Sequence, residues 1–495
     1  MSRVFWQSKI WGILHDPALK ALHNNTGRGG NSFWQQLSVM QDWRDNQWNP
    51  EDKSGTLFKQ MKLADYIASS SDRGAIGCIT ESVNYNEQGL EVAHLLSGAK
   101  LNLRISDHQT LVSKNRHNYL GEKEQELSRL IPKSIQDDPK QVFWWLWRCL
   151  PEAVFLQFND DSLMLMPAET RLPDSSIWSH TSITAALSGA LVGYDATTED
   201  LKRWKSGKEA SHPYLVTFTF TPVQDLIKAS RKMRDFWSGS WILHYIAAKI
   251  CWKLAMQYGP DSLLYPSLFQ QPLIDHWLLQ QYPVFDKWVK QPSSHELLTA
   301  GFPNVIVMIL PEAKVEAAMQ TAEQALKFAW QELGSLAFEE LHGNRRWMKD
   351  LNQDSKTWSG WLKAQWQFYW AGVPIGNKAE ELKNAAIPIE EKDKFEPWVK
   401  AQNQTFNSKL YQQAELDFLR QACEERLRRQ NRKFSVNVGS WWSSAFDLTR
   451  NALASTKNAR SWQLPTAFAP RSTISGIGPV VHPGEDWVSE GDTKK

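Results

Sequence analysis

Two uninterrupted apolar runs mark the middle of the chain, Tyr214–Phe220 (YLVTFTF) and Asn304–Leu310 (NVIVMIL). Both are rich in β-branched or aromatic residues and lack Pro and Gly. That predicts central strands covered on both faces rather than half-exposed strands of alternating polarity. After the first run, Thr221 can cap a helix, Pro222 suits the first helical position and Gln224 completes a capping box. A helix is therefore expected over 222–258, interrupted near Gly239 by Ser238-Gly239-Ser240. A short strand is expected at Leu263–Tyr265 and a further helix at Pro311–Glu332. Helices interleaved with strands over 213–335 suit a ferredoxin-like arrangement.

The flanks read differently. Residues 1–200 are mainly helical. Lys9–His15 ends a first helix, and Asp16-Pro17 forces a break. Leu57–Asp72 carries Leu57, Met61, Ala64 and Ala68 on one face, and Ile177–Leu191 is a third helix. Asn24–Asn31 (NNTGRGGN) is a Gly/Asn-rich loop. Residues 336–460 read as helical again, with a basic stretch at Arg426–Lys433 (RLRRQNRK) and a strand candidate at Phe434–Val438. Residues 461–495 are Pro/Gly/Ser-rich and are expected to be loose. The fold class is α+β.

Composition adds limits. At 495 residues, and roughly 100–150 residues per domain, about three domains are expected. Lys+Arg 56 against Asp+Glu 54 gives +2, so nucleic acid would be met by local patches or through partner subunits. Cys78, Cys149, Cys251 and Cys423 are scattered with no CxxC pair, which speaks against a zinc ribbon and for small core residues in a reducing cytosol. No leader-like apolar segment and no run of about 18 apolar residues occurs, so a soluble, cytoplasmic chain without membrane contact is expected. The 26 Trp include Phe143-Trp144-Trp145-Leu146-Trp147 and Trp358-Ser359-Gly360-Trp361. Lacking interleaved Lys and Arg, these predict core and subunit-interface packing before base stacking.

Five segments carry a family resemblance: Lys9–Leu22 (KIWGILHDPALKAL), Ala64–Arg73 (ADYIASSSDR), Pro167–Leu187 (PAETRLPDSSIWSHTSITAAL), Thr221–Ser240 (TPVQDLIKASRKMRDFWSGS) and Thr473–Pro483 (TISGIGPVVHP). In this order they resemble the Cmr-type, polymerase/cyclase-like large subunit of type III CRISPR effector complexes. The resemblance implies an HD-like helical domain over 1–200 and a palm-like ferredoxin-fold domain over 201–340. A mainly helical domain over 341–460 and a tail over 461–495, leading towards an absent second palm, would follow. It implies backbone, guide-end-capping and small subunits as partners, with guide and target RNA met largely through the complex. The leading role is scaffolding and target-RNA sensing at the base near the guide 5′ end. A metal-dependent HD nuclease on single-stranded DNA is the alternative, and an allosteric nucleotide-binding module without catalysis the second.

His15-Asp16 is the foremost catalytic candidate. Imidazole and carboxylate suit Mn, Ni or Mg, and such an ion would activate water for attack on a phosphodiester. Asp65 and Asp72 are seven apart and share a helix face. By resemblance His15, Asp16 and Asp65 fall at ligand-type positions, with His180 a fourth. Glu169, Ser175 and Ser176 stand where many relatives have Asp or His. The competing reading makes His15-Asp16 a helix-end cap and His180 a hydrogen-bonded core residue. On the palm helix, the resemblance has Gln224, Arg231, Arg234, Asp235, Ser238 and Ser240 facing a nucleotide, with ATP as the candidate, against an i, i+4 surface ion pair between Arg231 and Asp235. No Gly-Gly-Asp-Asp turn occurs. Gly193-Tyr194-Asp195 and Gly484-Glu485-Asp486 are the nearest strings, so oligoadenylate synthesis is not expected. Arg426–Lys433 offers either a grip on RNA backbone or a solvated face beside Glu424 and Glu425.

Overall fold

The computed structural model describes residues 2–20, 33–50, 56–73, 90–103, 116–168, 175–203, 211–228, 230, 232–344, 352–354, 356–375, 386–388, 413–414, 417, 421, 435–437 and 441–459. Arg231, the Asn24–Asn31 loop, the basic stretch Arg426–Lys433 and the 461–495 tail lie outside them. The helices that matter below are α1 (Arg3–Leu14), α2 (Thr56–Arg73), α3 (Pro139–Arg148), α4 (Leu150–Phe158), α5 (Ile177–Val192), α6 (Gln224–Lys228), α7 (Met233–Tyr258), α8 (Pro272–Gln281), α9 (Val315–Glu339) and α10 (Trp441–Asn458). The strands are β1 (Leu90–Ala93), β2 (Lys100–Leu103), β3 (Pro213–Thr221), β4 (Leu263–Tyr265), β5 (Val305–Pro311), β6 (Gln367–Pro374), β7 (Ala386–Pro388) and β8 (Ser435–Asn437).

The main sheet is antiparallel, in the order β4-β5-β3-β6. Both apolar runs sit side by side in it, with Phe218 opposite Ile306 on one side and Trp370 on the other. Alternate residues of β3 divide between two cores. Val216, Phe218 and Phe220 join the large cluster that includes residues of α7 and α9, while Leu215 joins a second cluster with Ala64 and Ala68 of α2, Ala186 and Ala190 of α5, and Ala445 of α10. A strand buried on both faces gains no polar side, which is why it reads as a continuous apolar run. β1 with β2, and β7 with β8, form separate antiparallel pairs.

Three local expectations change. Thr221 ends β3, and the helix begins at Gln224, so Thr221 and Gln224 are not in capping-box register. The interruption of 222–258 falls between Lys228 and Met233 rather than at Gly239. Asp235 Oδ2 accepts from the Lys232 N–H at 3.1 Å and starts α7 afresh. Gly239 lies buried inside α7 beside α6, where an added Cβ would meet the Leu226 carbonyl at 3.8 Å, an ordinary contact distance. The third change is β6. Residues 336–460 read as helical, yet Gln367–Pro374 pairs with β3 along its length and supplies an edge strand from beyond residue 340. The strand candidate at Phe434–Val438 is β8.

The Trp-rich segment Phe143–Trp147 is buried in α3. Trp145 meets Trp288 edge-on at 5.3 Å, and Trp144 meets Trp252 at 5.8 Å. Cys149 and Cys251 are free and buried. Two buried ion pairs cross the core. Arg148 forks onto Asp275, its Nε and Nη2 each donating at 2.8 Å, and ties α3 to α8. Lys9 Nζ donates to Asp261 Oδ2 at 2.6 Å and to Ser262 Oγ at 3.1 Å, tying α1 to the turn after α7. Burial pushes the Lys9 ammonium down and the Asp261 carboxyl up, against their mutual attraction. Gly259, at φ +99°, makes room for this pair, since a Cβ there would lie 2.3 Å from Asp261 Oδ1.

Candidate metal centre

Three helices deliver four side chains to one point. His15 caps the C-terminal end of α1, and Asp16 follows it before Pro17 turns the chain. Asp65 stands on α2 beside Ala64 and Ala68, which seat α2 against α5. His180 is in the first turn of α5. The close approach of α1 to α5 depends on Gly12, where a Cβ would lie 2.6 Å from the Ala185 Cα.

His15 Nε2 lies 3.5 Å from Asp16 Oδ2 and 3.5 Å from Asp65 Oδ1. His180 Nε2 lies 3.4 Å and 3.5 Å from the same two atoms. All four ligand atoms fall within 4.8 Å of one another. These separations are long for hydrogen bonds. Four donor atoms this close together can converge on one shared ion.

The tautomer of His15 follows from its other nitrogen. Nδ1 sits 2.6 Å from the Gly12 carbonyl, which only accepts, so Nδ1 carries a proton and Nε2 is the atom turned towards the carboxylates. Burial alone would raise the Asp16 carboxyl. His15, His180 and Lys20 outweigh it and hold Asp16 below the usual carboxylate range. Asp65 is half-buried, and against desolvation His15 and His180 hold it well below that range. Ser69 Oγ donates to Asp65 Oδ1 at 3.2 Å, and Lys20 Nζ pairs with Asp16. Two imidazoles and two ionised carboxylates in a buried niche fit a divalent cation.

Sequence reasoning named the four converging residues and missed their supports. Gly12, Lys20 and Ser69 were the missed positions. Gly12 carried a signal, three residues ahead of His15 and alone among the large apolar residues of Ile10–Leu14. The Asp72 side chain lies outside the described residues.

The palm-helix candidates form no comparable cluster. Gln224, Arg234 and Asp235 are exposed, and Ser238 and Ser240 are half-buried. Asp235 caps α7, and Ser238 Oγ donates to the Arg234 carbonyl at 2.9 Å, so both serve the helix itself.

Residues 215–335, which hold β3 through most of α9, match the family described as CRISPR-associated protein Cmr2, N-terminal. The chain is a relative of Cmr2. It is 27% identical over 162 residues to the CRISPR system Cmr subunit Cmr2 of Pyrococcus furiosus, covering 33% of this chain and 15% of that protein. It is 26% identical over 287 residues to the Cmr2 subunit of Saccharolobus solfataricus, covering 56% of this chain and 25% of that protein. The matched regions are thus a quarter or less of these Cmr2 proteins. Among solved structures, the type III-B Cmr-beta complex in its apo state contains a chain that aligns with 96% of this one and 44% of its own length, at 19% identity and TM-score 0.49. The Csm1–Csm4 cassette in complex with pppApA aligns over 86% and 52%, at 12% identity and TM-score 0.32.

Proposed function

We propose that this chain is a Cmr2-type large subunit of a type III CRISPR effector complex, and that its N-terminal helices act there as a metal-dependent nuclease on single-stranded DNA. Kinship with Cmr2 supports the first part. The observation that carries the second is the convergence of the ligand atoms of His15, Asp16, Asp65 and His180 to within 4.8 Å of one another. In this reading the chain sits among backbone, guide-end-capping and small subunits, and meets guide and target RNA through them. Its scaffolding and target-sensing role belongs to that seat.

A divalent ion held by these four residues would supply Lewis acidity and a water acidified enough to attack a phosphodiester. The chain's own groups prepare for it. The Gly12 carbonyl fixes the His15 ring and turns Nε2 towards the place where the ion would be held. Asp16 and Asp65, ionised at neutral pH, provide two negative charges that a hard cation requires. Lys20 and Ser69 hold those carboxylates in place from the side.

The test is cleavage of single-stranded DNA with Mn²⁺ or Ni²⁺ by the chain in its assembled complex. Cleavage is expected in wild type and should be lost in Asp16→Ala and Asp65→Asn, with unchanged circular dichroism. An inactive wild type with every divalent metal tried defeats the nuclease reading. Cleavage that survives Asp16→Ala assigns the activity to another site.

A further inference from the structure

A cavity of about 470 Å³ opens on the side of α5 away from the metal centre. Trp178 and Ser182 line it from two residues either side of His180, so they face the opposite way around the helix. Its size is that of a small-molecule site. Trp147, Trp178 and Phe269 give it aromatic walls, with Ile13, Leu146 and Leu263 between them.

The polar groups decide the chemistry. Both indole N–H groups are spent inside the protein: Trp147 Nε1 donates to Ser182 Oγ at 3.0 Å and Trp178 Nε1 to the Leu163 carbonyl at 3.2 Å. The rings therefore present apolar faces. Thr181 Oγ1 is also spent, on the Ile177 carbonyl. Ser182 accepts from Trp147, and Ser179 accepts from the Ser176 hydroxyl. Among the described residues, each of these two serines keeps an O–H to donate into the cavity. One helical turn apart, they are about 5–6 Å from each other, a span that a two-ring edge bridges. Asp261 is the sole charged residue among the described lining residues, and its side chain is 0% exposed and paired with Lys9, so it brings no open charge to the cavity. Among the described residues no Lys or Arg lines the cavity, so no cationic side chain there meets a phosphate.

We propose that this cavity binds an uncharged purine-type base, stacked against the Trp147, Trp178 and Phe269 walls and accepting edge hydrogen bonds from Ser179 and Ser182. The base comes either from a free nucleoside or from a single strand that turns one base out. Neither source depends on the metal centre, because the ligand touches none of its four side chains.

The experiment is calorimetric titration of the full chain with adenosine and, separately, with a short oligodeoxyadenylate, both in excess chelator. Adenosine should bind saturably, and AMP should bind no tighter. Ser179→Ala should weaken binding roughly threefold to tenfold, the loss of one hydrogen bond. Ser182→Leu, which fills the cavity, should abolish binding. Binding of the oligonucleotide alone, lost in Ser182→Leu, supports the site and identifies a strand as the source. No saturable binding of either probe overturns the proposal. So does binding of equal strength in wild type and Ser179→Ala, or binding that a folded Ser182→Leu chain retains.

Discussion

At Gly12 two roles meet: the missing side chain admits α5 to within contact of α1, and the backbone carbonyl orients His15. Gly12→Ala would force a Cβ to within 2.6 Å of the Ala185 Cα. Overpacking of this kind costs about 1–3 kcal/mol. The expected outcome is a lower midpoint in urea together with weaker Mn²⁺ binding, read by calorimetry, although no ligand atom has been changed. Equal Mn²⁺ affinity in the two proteins would dissociate helix spacing from the site. His244 gives a second test at this scale. Its ring is 3% exposed, and Nδ1 accepts from the N–H groups of Gly301 and Phe302, both at 2.9 Å. Burial pulls its pKa from 6.5 down to about 4. Stability from the neutral ring is thus complete above about pH 6.5 and is lost as pH falls towards 4. The whole effect is about 3 kcal/mol. Urea midpoints of wild type should fall across that window more steeply than those of His244→Asn, whose amide oxygen keeps an acceptor without titrating. His15 and Asp16 were legible as ligand candidates because His-Asp-Pro ends a helix and brings its own chemistry, whereas Asp65 and His180 were named through the family resemblance. His244 was not legible, because its partners come from backbone nearly sixty residues away.

Among elements, the junction between α1 and the turn after α7 rests on a charge pair with no access to water. The side chains of Lys9 and Asp261 are both 0% exposed. Removing one member of such a pair strands the other, at about 3–5 kcal/mol. Lys9→Met should therefore destabilise strongly, and the Lys9→Met/Asp261→Leu double variant should recover much of that loss in thermal melts. A double variant as unstable as the sum of the singles would show that the two do not act on each other. The small-residue stretch in α7 runs the other way. At Gly239 an added methyl meets ordinary contact distances, 3.8 Å and 4.0 Å, so Gly239→Ala should raise stability by about 0.5–1 kcal/mol. A lowered melting temperature would mean that α6 and α7 pack more tightly than these distances indicate. Small residues in Ser-Gly-Ser predicted a break because local propensity was the only information available. Tertiary packing overrode it, and the break moved to where Asp235 could cap.

For the whole molecule, the two central strands were readable because burial on both faces erases alternation. β6 was not, since its aromatic run continues the Trp-rich pattern of the preceding helix, and only pairing with β3 distinguishes it. β3 lies between β5 and β6 and has no free edge, so its amides should be the slowest of the sheet to exchange with deuterium. β4, three residues long at the margin, should exchange first. Faster exchange in β3 than in β4 would contradict the strand order.

The Lys9–Asp261 pair also sets a timetable. The two residues are 252 apart in sequence. On the ribosome, at 5–20 residues per second, α1 precedes its counter-charge by roughly ten to fifty seconds. All four metal-ligand candidates are synthesised within that interval, so they emerge while Lys9 still needs water around its ammonium group. Docking of α1 into its dry seat, and with it the final position of His15, is therefore deferred until the sheet region is being made.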